Sequence, residues 1–338
     1  MLQHGIDLHK RTLTIATVDS DGSLVRRTKI PARRPDLLHY FDSLNGPHRA
    51  VVEATGSWYW VADLLRTRGI ELRLAHARKL KAVAAAKVKT DPIDALTLAQ
   101  LLRVDLIPEA HMISDELRGY RDLLRTRLRL VQKGTSAKNS ISRTLEKYNA
   151  QTPGQVPPLA YLQICLYEDQ IALLDGQIKE LQQLLQQHLI LDDDVQRLLW
   201  IPGIGKLGAL TIVLETDSME RFPSPRHFFS YCRLVPGAAN SGGKTHQRRS
   251  KEGNRYLKAT FGHAALRAIQ YYPEIRAFYQ KKARRKNRWV ARSIVAKEIA
   301  RIVYYVLHDQ VDFNGCFKGV PLSHLKQSQW PRRASPGV

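Results

Sequence analysis

The sequence predicts an α/β domain followed by an all-α half. A mixed-sheet domain is expected over 1–112, a long helical coiled-coil arm over 113–191, and a helical domain with a helix-hairpin-helix over 192–315, with 316–338 as a disordered tail. Three observations carry this. Short apolar runs alternate with helical patterns as far as residue 102, in the order βββ-α-β-α-β-α. From residue 115 the apolar residues recur at helical spacing over two long stretches separated by one break. Beyond residue 192 the pattern is a series of shorter helices, and it is strongly basic: 244–301 holds 17 Lys+Arg against 3 Asp+Glu.

Residues 3–7 form a short first strand. Residues 12–18 alternate apolar and small polar side chains, and Asp19-Ser20-Asp21-Gly22 turns the chain into a third strand at 24–30. A helix at 36–44 is followed by a continuously apolar, buried strand at 49–54. A second helix (59–68), a strand (70–75) and an Ala-rich helix (79–87) lead to the helix that opens at Asp91. Residues 115–148 read as one long helix, with Leu117, Tyr120, Leu124, Leu128 and Val131 on its apolar stripe. Arg118, Arg121, Arg125, Arg129 and Lys133 line an adjoining face, which is either solvated or set against a nucleic-acid backbone. Three prolines and a glycine break the chain at 151–158. A Leu- and Gln-rich helix at 159–191 then completes an antiparallel coiled coil, within one chain or between subunits.

In the last part, Ile201-Pro202-Gly203-Ile204-Gly205-Lys206 reads as a hairpin between two helices. The backbone N–H groups of Gly203, Gly205 and Lys206 and a helix N-terminus can there face a phosphate, although a tight turn without a ligand has the same pattern. Helices follow at 225–232, 254–270, 274–285 and 290–308. The first two of these are joined by a loop, 234–252, holding Ser241 and the basic residues Lys244, Arg248, Arg249 and Lys251 as nucleic-acid contacts. Gly243-Lys244-Thr245 is not the end of a P-loop, because Ala238 stands where that motif needs glycine. An ATPase reading is therefore excluded.

The chain has 338 residues, 43% hydrophobic and 25% charged, ordinary for a folded globular protein. Its 53 Lys+Arg against 31 Asp+Glu give +22, an excess that favours a polyanionic partner such as DNA. Cys165, Cys232 and Cys316 lie far apart, with no C-x-x-C pair, so neither a disulfide framework nor a zinc site is expected. No signal-peptide core is present, and no apolar run reaches the ~18 residues of a membrane span. A soluble cytoplasmic protein without a membrane partner is expected.

The chemistry is sought at four acids, each at an end of an element: Asp7, Glu53, Asp91 and Asp94. Asp91 and Asp94, three apart on a helix, share one face. The same pair with Pro92 between them also makes an ordinary capped helix start. If the four converge, they repel: two carboxylates at ~4 Å cost about 4 kcal/mol at an effective dielectric of 20. Such a cluster stays ionised around a cation, and oxygen ligands suit Mg2+ or Mn2+. An acid on the first strand, one on the fourth and two on a later helix is the placement that a ribonuclease-H-like sheet requires for phosphodiester chemistry. His9 and Lys10 beside Asp7 read as an exposed strand end able to touch phosphate. Ser241, followed by two glycines in a basic loop, can approach a phosphate closely, with Thr245 and Ser250 as competing hydroxyls; in isolation it is a turn serine.

Gly-Ile-Asp-Leu-His-Lys at 5–10, Val-Val-Glu-Ala-Thr-Gly at 51–56 and Lys-Thr-Asp-Pro-Ile-Asp-Ala at 89–95 together resemble the amino-terminal domain of the IS110-type transposases and Piv-type DNA invertases. The Ile201–Gly205 hairpin and the glycine-rich serine loop resemble the carboxy-terminal domain of that family, so the likeness covers roughly 1–312 in the right order. The resemblance implies a RuvC-like DEDD domain with Asp7, Glu53, Asp91 and Asp94 as ligands of a catalytic Mg2+ or Mn2+, and Ser241 as the nucleophile of DNA strand cleavage and rejoining. It also implies a bridge RNA, assembly from dimer to tetramer, and a nucleoid-associated location in a prokaryote. The readings kept beside a transposase are a Piv-like invertase, a Holliday-junction-resolvase-like nuclease that uses the acids with water, and a non-enzymatic nucleic-acid-binding protein.

Overall fold

The computed structural model describes residues 1–83, 91–189, 192–241, 244–248 and 253–323, in two compact units, Met1–Met112 and Ile113–Val338. In the first unit β1 (Leu2–Leu8), β2 (Thr12–Val18) and β3 (Leu24–Pro31) form an antiparallel meander. The turn into β3 is held by Asp19, whose Oδ1 accepts from the Asp21 and Ser23 amides. Then come α1 (Arg34–Asp42), β4 (His48–Glu53), α2 (Tyr59–Thr67), β5 (Glu71–Ala75), α3 (Ala77–Val83) and α4 (Asp91–Arg103). The five strands lie in the order β3-β2-β1-β4-β5, with β1–β4 and β4–β5 parallel, a mixed sheet as the sequence predicts.

Alternation along the strands sorts the two faces. Ile6, Leu13, Ile15 and Val52 pack with Leu37, Phe41, Val61 and Leu65 of α1 and α2. Also on this side, His4 bonds Thr17 Oγ1 (2.8 Å) and His48 Nδ1 (3.0 Å); burial and then the His48 charge lower its pKa to about 3, so it stays neutral. The opposite face carries α4, and there the residues are small. Gly5 and Ala16 are partners across β1 and β2, and a Cβ on Gly5 would meet Ala95 O at 2.0 Å and Ala99 N at 2.5 Å. Glycine is thus what lets the α4 backbone lie on the sheet, with Leu98 and Leu102 closing a core over Val51 and Ala75.

The second unit begins with α5 (Asp115–Lys147), which returns through a 3-10 turn (Pro153–Gln155) into α6 (Pro158–Leu189). The two pair within one chain. Ile141 and Leu145 meet Val156, Ala160 and Ile164 near the turn, while Leu124 and Leu185 join the main core at the other end. Next come α7 (Asp193–Leu198), α8 (Lys206–Thr216) and α9 (Pro225–Tyr231). A hairpin, β6 (Gly237–Ser241) and β7 (Lys244–Arg248), is followed by α10 (Arg255–Tyr271), α11 (Pro273–Ala283) and α12 (Arg288–His308).

Two expectations need correction here. The 234–252 segment is not wholly loop, because β6 and β7 pair across it. Nor is the tail disordered from its start: β8 (Cys316–Phe317) and β9 (Val320–Pro321) form a short hairpin that buries Phe317 and Leu322 in the main core. Residues 324–338 of the expected tail lie outside the described residues. Cys165, Cys232 and Cys316 are free thiols. Among the described residues no helix is long and apolar enough to cross a membrane.

The basic stripe of α5 is partly consumed by the fold. Arg118 is buried and pairs with Asp115, whereas Arg129 and Lys133 are exposed. Arg125 makes two 2.6 Å bonds to the carboxylate of Glu215, whose side chain is fully buried. Asn254 Nδ2 donates to the same carboxylate at 2.7 Å, while its Oδ1 caps α10 through the Tyr256 and Leu257 amides. This cluster fixes the start of α10.

Gly5→Ala is expected to cost about 3 kcal/mol or more, because it sets side chain against helix backbone; chemical denaturation of the full chain measures this, and wild-type stability would refute the close approach. Arg125→Met leaves the Glu215 carboxylate buried without its cation, at about 3–5 kcal/mol, and adding Glu215→Met should recover most of the loss. A double variant no more stable than Arg125→Met would contradict this account of the pair.

Candidate functional site

The row of strand positions that includes Asp7 sets the site. Across β1 and β2, Asp7 pairs with Thr14, and across β2 and β3, Thr14 pairs with Lys29. Ile6 and Val52 end the β1–β4 ladder, so Asp7 and Glu53 follow side by side at the carboxyl ends of two parallel strands. A shared register puts these side chains on one face, that of Gly5 and Val51, which α4 covers. Asp91 and Asp94, in the first turn of α4, come down over this row. Acids favour that first turn in any helix, so the cap and the cluster are served by the same residues.

Of the four predicted acids, Asp7 and Asp91 share one cluster, and His9 joins them. One ligand atom from each of Asp7, His9 and Asp91 lies within 4.8 Å of the others. His9 Nε2 is 3.1 Å from Asp7 Oδ2 and 3.4 Å from Asp91 Oδ1, and Lys29 Nζ lies 3.2 Å from Asp91 Oδ2. Burial raises the Asp7 pKa; the charges of Asp91 and Asp94 add to the rise, against the pull of His9. Asp94 is thus near enough to be felt at Asp7. Asp91 moves the other way, chiefly through its hydrogen bond from Lys29. Glu53 joins through strand register.

A divalent cation suits this donor set. The carboxylates repel one another while His9 and Lys29 pair with them, and a divalent cation would offset that repulsion directly. The Thr14 hydroxyl, directly across from Asp7, is buried with no hydrogen-bond partner among the described residues. It marks a further oxygen turned inward in the same row. His9 departs from the all-oxygen set expected from the sequence, and an imidazole beside carboxylates is compatible with Mn2+ as well as with Mg2+ at the oxygens. His9 was legible only as a neighbour of Asp7, and Lys29 not at all, because strand register delivers it.

In the second unit Ser241 ends β6, with Lys244 opposite it in register; Arg248 pairs with Gly237 at the far end. Gly242, Gly243, Arg249, Ser250 and Lys251 lie outside the described residues. In the α7–α8 hairpin Gly203 has a packing reason of its own: its φ is +80°, and a Cβ would meet Ala264 O at 2.1 Å. Gly205, the residue preceding α8, and Lys206 are exposed, as a phosphate contact there requires.

Two family models match the chain in this order. A DEDD transposase model of the IS110 type covers residues 4–150, and the model described as "Transposase IS116/IS110/IS902 family" covers 195–280, together about two thirds of the chain. A probable family 20 transposase of Pseudomonas aeruginosa is 25% identical over 286 residues, 79% of this chain and 83% of the relative. The transposase for insertion sequence element IS1328 of Yersinia enterocolitica is 23% identical over 325 residues, 89% and 95% of the two chains. The transposase for IS1111A of Coxiella burnetii is 22% identical over 287 residues, 79% and 78%. With both halves matched in the order that the acids and the serine hairpin require, the chain belongs to the IS110-type family of DNA transposases.

Proposed function

We propose that this transposase cuts and rejoins the DNA of its insertion sequence through Ser241, with Asp7, Glu53, Asp91 and Asp94 of a RuvC-like unit holding Mg2+ or Mn2+ and His9 beside them. The observation that carries the metal reading is the row Asp7–Glu53 with the first turn of α4 above it. A cation bound there supplies charge stabilisation to the oxygens of a phosphodiester.

The chain's own residues have distinct tasks in this reading. Ser241 Oγ forms a bond to phosphorus as one deoxyribose oxygen leaves, giving a phosphoserine ester. A hydroxyl of the receiving strand then attacks the same phosphorus and releases the serine, so the number of phosphodiester bonds is unchanged. Lys244, opposite Ser241 in register, supports the reading, because a cationic residue pairs with the proposed nucleophile across the hairpin. Gly205, Lys206, Arg248, Arg249 and Lys251 are assigned to the DNA backbone, with Gly203 shaping the hairpin. The serine hairpin and the acid row lie in different units, and the proposed reaction uses residues of each.

A bridge RNA and assembly from dimer to tetramer belong to the same proposal. The +22 charge supports a large nucleic-acid partner. Leu159, Leu162, Leu166 and Leu173 of α6 are each more than half exposed, a coiled-coil spacing that favours a second subunit. One observation favours a second reading, a resolvase-like nuclease: the acid row is assembled from a single unit, without Ser241.

Covalent trapping separates the two. Full-length protein, with RNA transcribed from its own element, is mixed with labelled element-end DNA and Mg2+, and denaturation-resistant adducts are measured. Wild type should form an adduct, and Ser241→Ala and Asp91→Asn should each reduce it at least about 100-fold. Cleavage that persists in Ser241→Ala and is lost only in Asp91→Asn would overturn the serine and establish the nuclease.

A further inference from the structure

A strongly basic stretch of the second unit also carries an exposed tryptophan. Residues 281–292 include seven Lys or Arg, and no Asp or Glu occurs from 275 to 297. At the start of α12, Trp289 is 53% exposed and Val290 46%. The Arg288 and Arg292 guanidinium carbons lie 5.0 and 4.7 Å from the Trp289 ring centroid. A single exposed apolar residue needs no explanation. A tryptophan between two arginines, in a segment without a single acid, is a different object.

The ring also stands on a rigid base. Asn287 caps α12 by accepting from the Trp289 amide at 2.8 Å, which fixes the backbone at that residue. Further along α12, Ala291, Val295 and Ile299 are fully buried, and the last two belong to the main core, so the helix that carries the ring is anchored there. The positive end of a 21-residue helix dipole adds to the local cationic field. An aromatic face held rigidly in such a field matches what single-stranded nucleic acid requires. Bases stack on the ring irrespective of their identity, and flanking phosphates are taken by arginine and lysine. A duplex, its bases already stacked on one another, can use only the charges.

We infer that Trp289, with Arg288 and Arg292, is a stacking platform for an unpaired base of single-stranded RNA or DNA. This rests on the recombinase reading and deepens it by naming the form of nucleic acid that α12 receives. RNA and DNA share the chemistry, and the probes distinguish them.

Full-length protein is titrated by fluorescence anisotropy against a labelled single-stranded RNA, the single-stranded DNA of the same sequence and the matching DNA duplex, at several salt concentrations. Trp289→Ala should weaken single-strand binding about 10-fold or more and leave duplex binding and the salt slope unchanged, with Trp289→Phe restoring most of the loss. Arg284→Ala/Arg285→Ala should instead weaken all three probes and lower the salt slope by about one for each phosphate contact removed. The single strand more affected by Trp289→Ala identifies the source. Equal loss on single strand and duplex, or no loss, would overturn the platform. So would a Trp289→Ala protein that sediments as a smaller species, which would assign the ring to a subunit contact. Wild-type protein that binds none of the probes would instead sink the recombinase reading itself.

Discussion

The acid site depends on how closely α4 can approach the sheet, and Gly5 sets that distance. Ala95 O and Ala99 N occupy the space that a Cβ on Gly5 would need. Because the helix lies on β1 and β2 through small residues, its first turn comes down beside the carboxyl end of β1 rather than a side chain's thickness above it. Two residues after Gly5, on the same face, is Asp7. The carboxylates of β1 and of α4 are therefore neighbours as a consequence of packing, and their repulsion is a cost that the core over Val51 and Ala75 offsets. A site that is electrostatically uncomfortable when empty is well suited to a divalent cation.

The two units handle buried charge in different ways. Around Asp7, burial and neighbouring acids raise its pKa, while His9 and Lys29, which pair with these acids, are exposed. Around Glu215 the compensation is permanent: a bidentate arginine and an asparagine that also caps the next helix. The first arrangement can exchange its partners for a ligand. The second holds the start of α10 in place.

Much of this was legible in the sequence, for identifiable reasons. Strand alternation and the Asp19–Gly22 turn reveal the meander, and acids at element ends single out Asp7, Glu53, Asp91 and Asp94 as candidates before any contact is known. What escapes is whatever depends on register between distant strands. Lys29 reaches Asp91 across 62 residues, and no local pattern announces it. The β6–β7 hairpin is hidden because Gly237–Ser241 and Lys244–Arg248 hold only Thr245 among the Val, Ile, Thr, Phe, Tyr and Trp residues by which strands are read. In α5, periodicity shows that Arg125 lies on a charged face, but not that a buried Glu215 awaits it. Gly203 illustrates the opposite error: a glycine read for its exposed amide is also needed for its closeness to α10.

The central claim is that the Asp7 row and the first turn of α4 form one divalent-cation site. Calorimetric titration of the full-length protein with Mn2+, in the absence of nucleic acid, tests it most directly. Saturable binding is expected for wild type, weakened at least about 10-fold in both Asp7→Asn and Asp91→Asn, because each removes a ligand from the same ion. Binding that is absent from wild type, or unchanged in both variants, would contradict it.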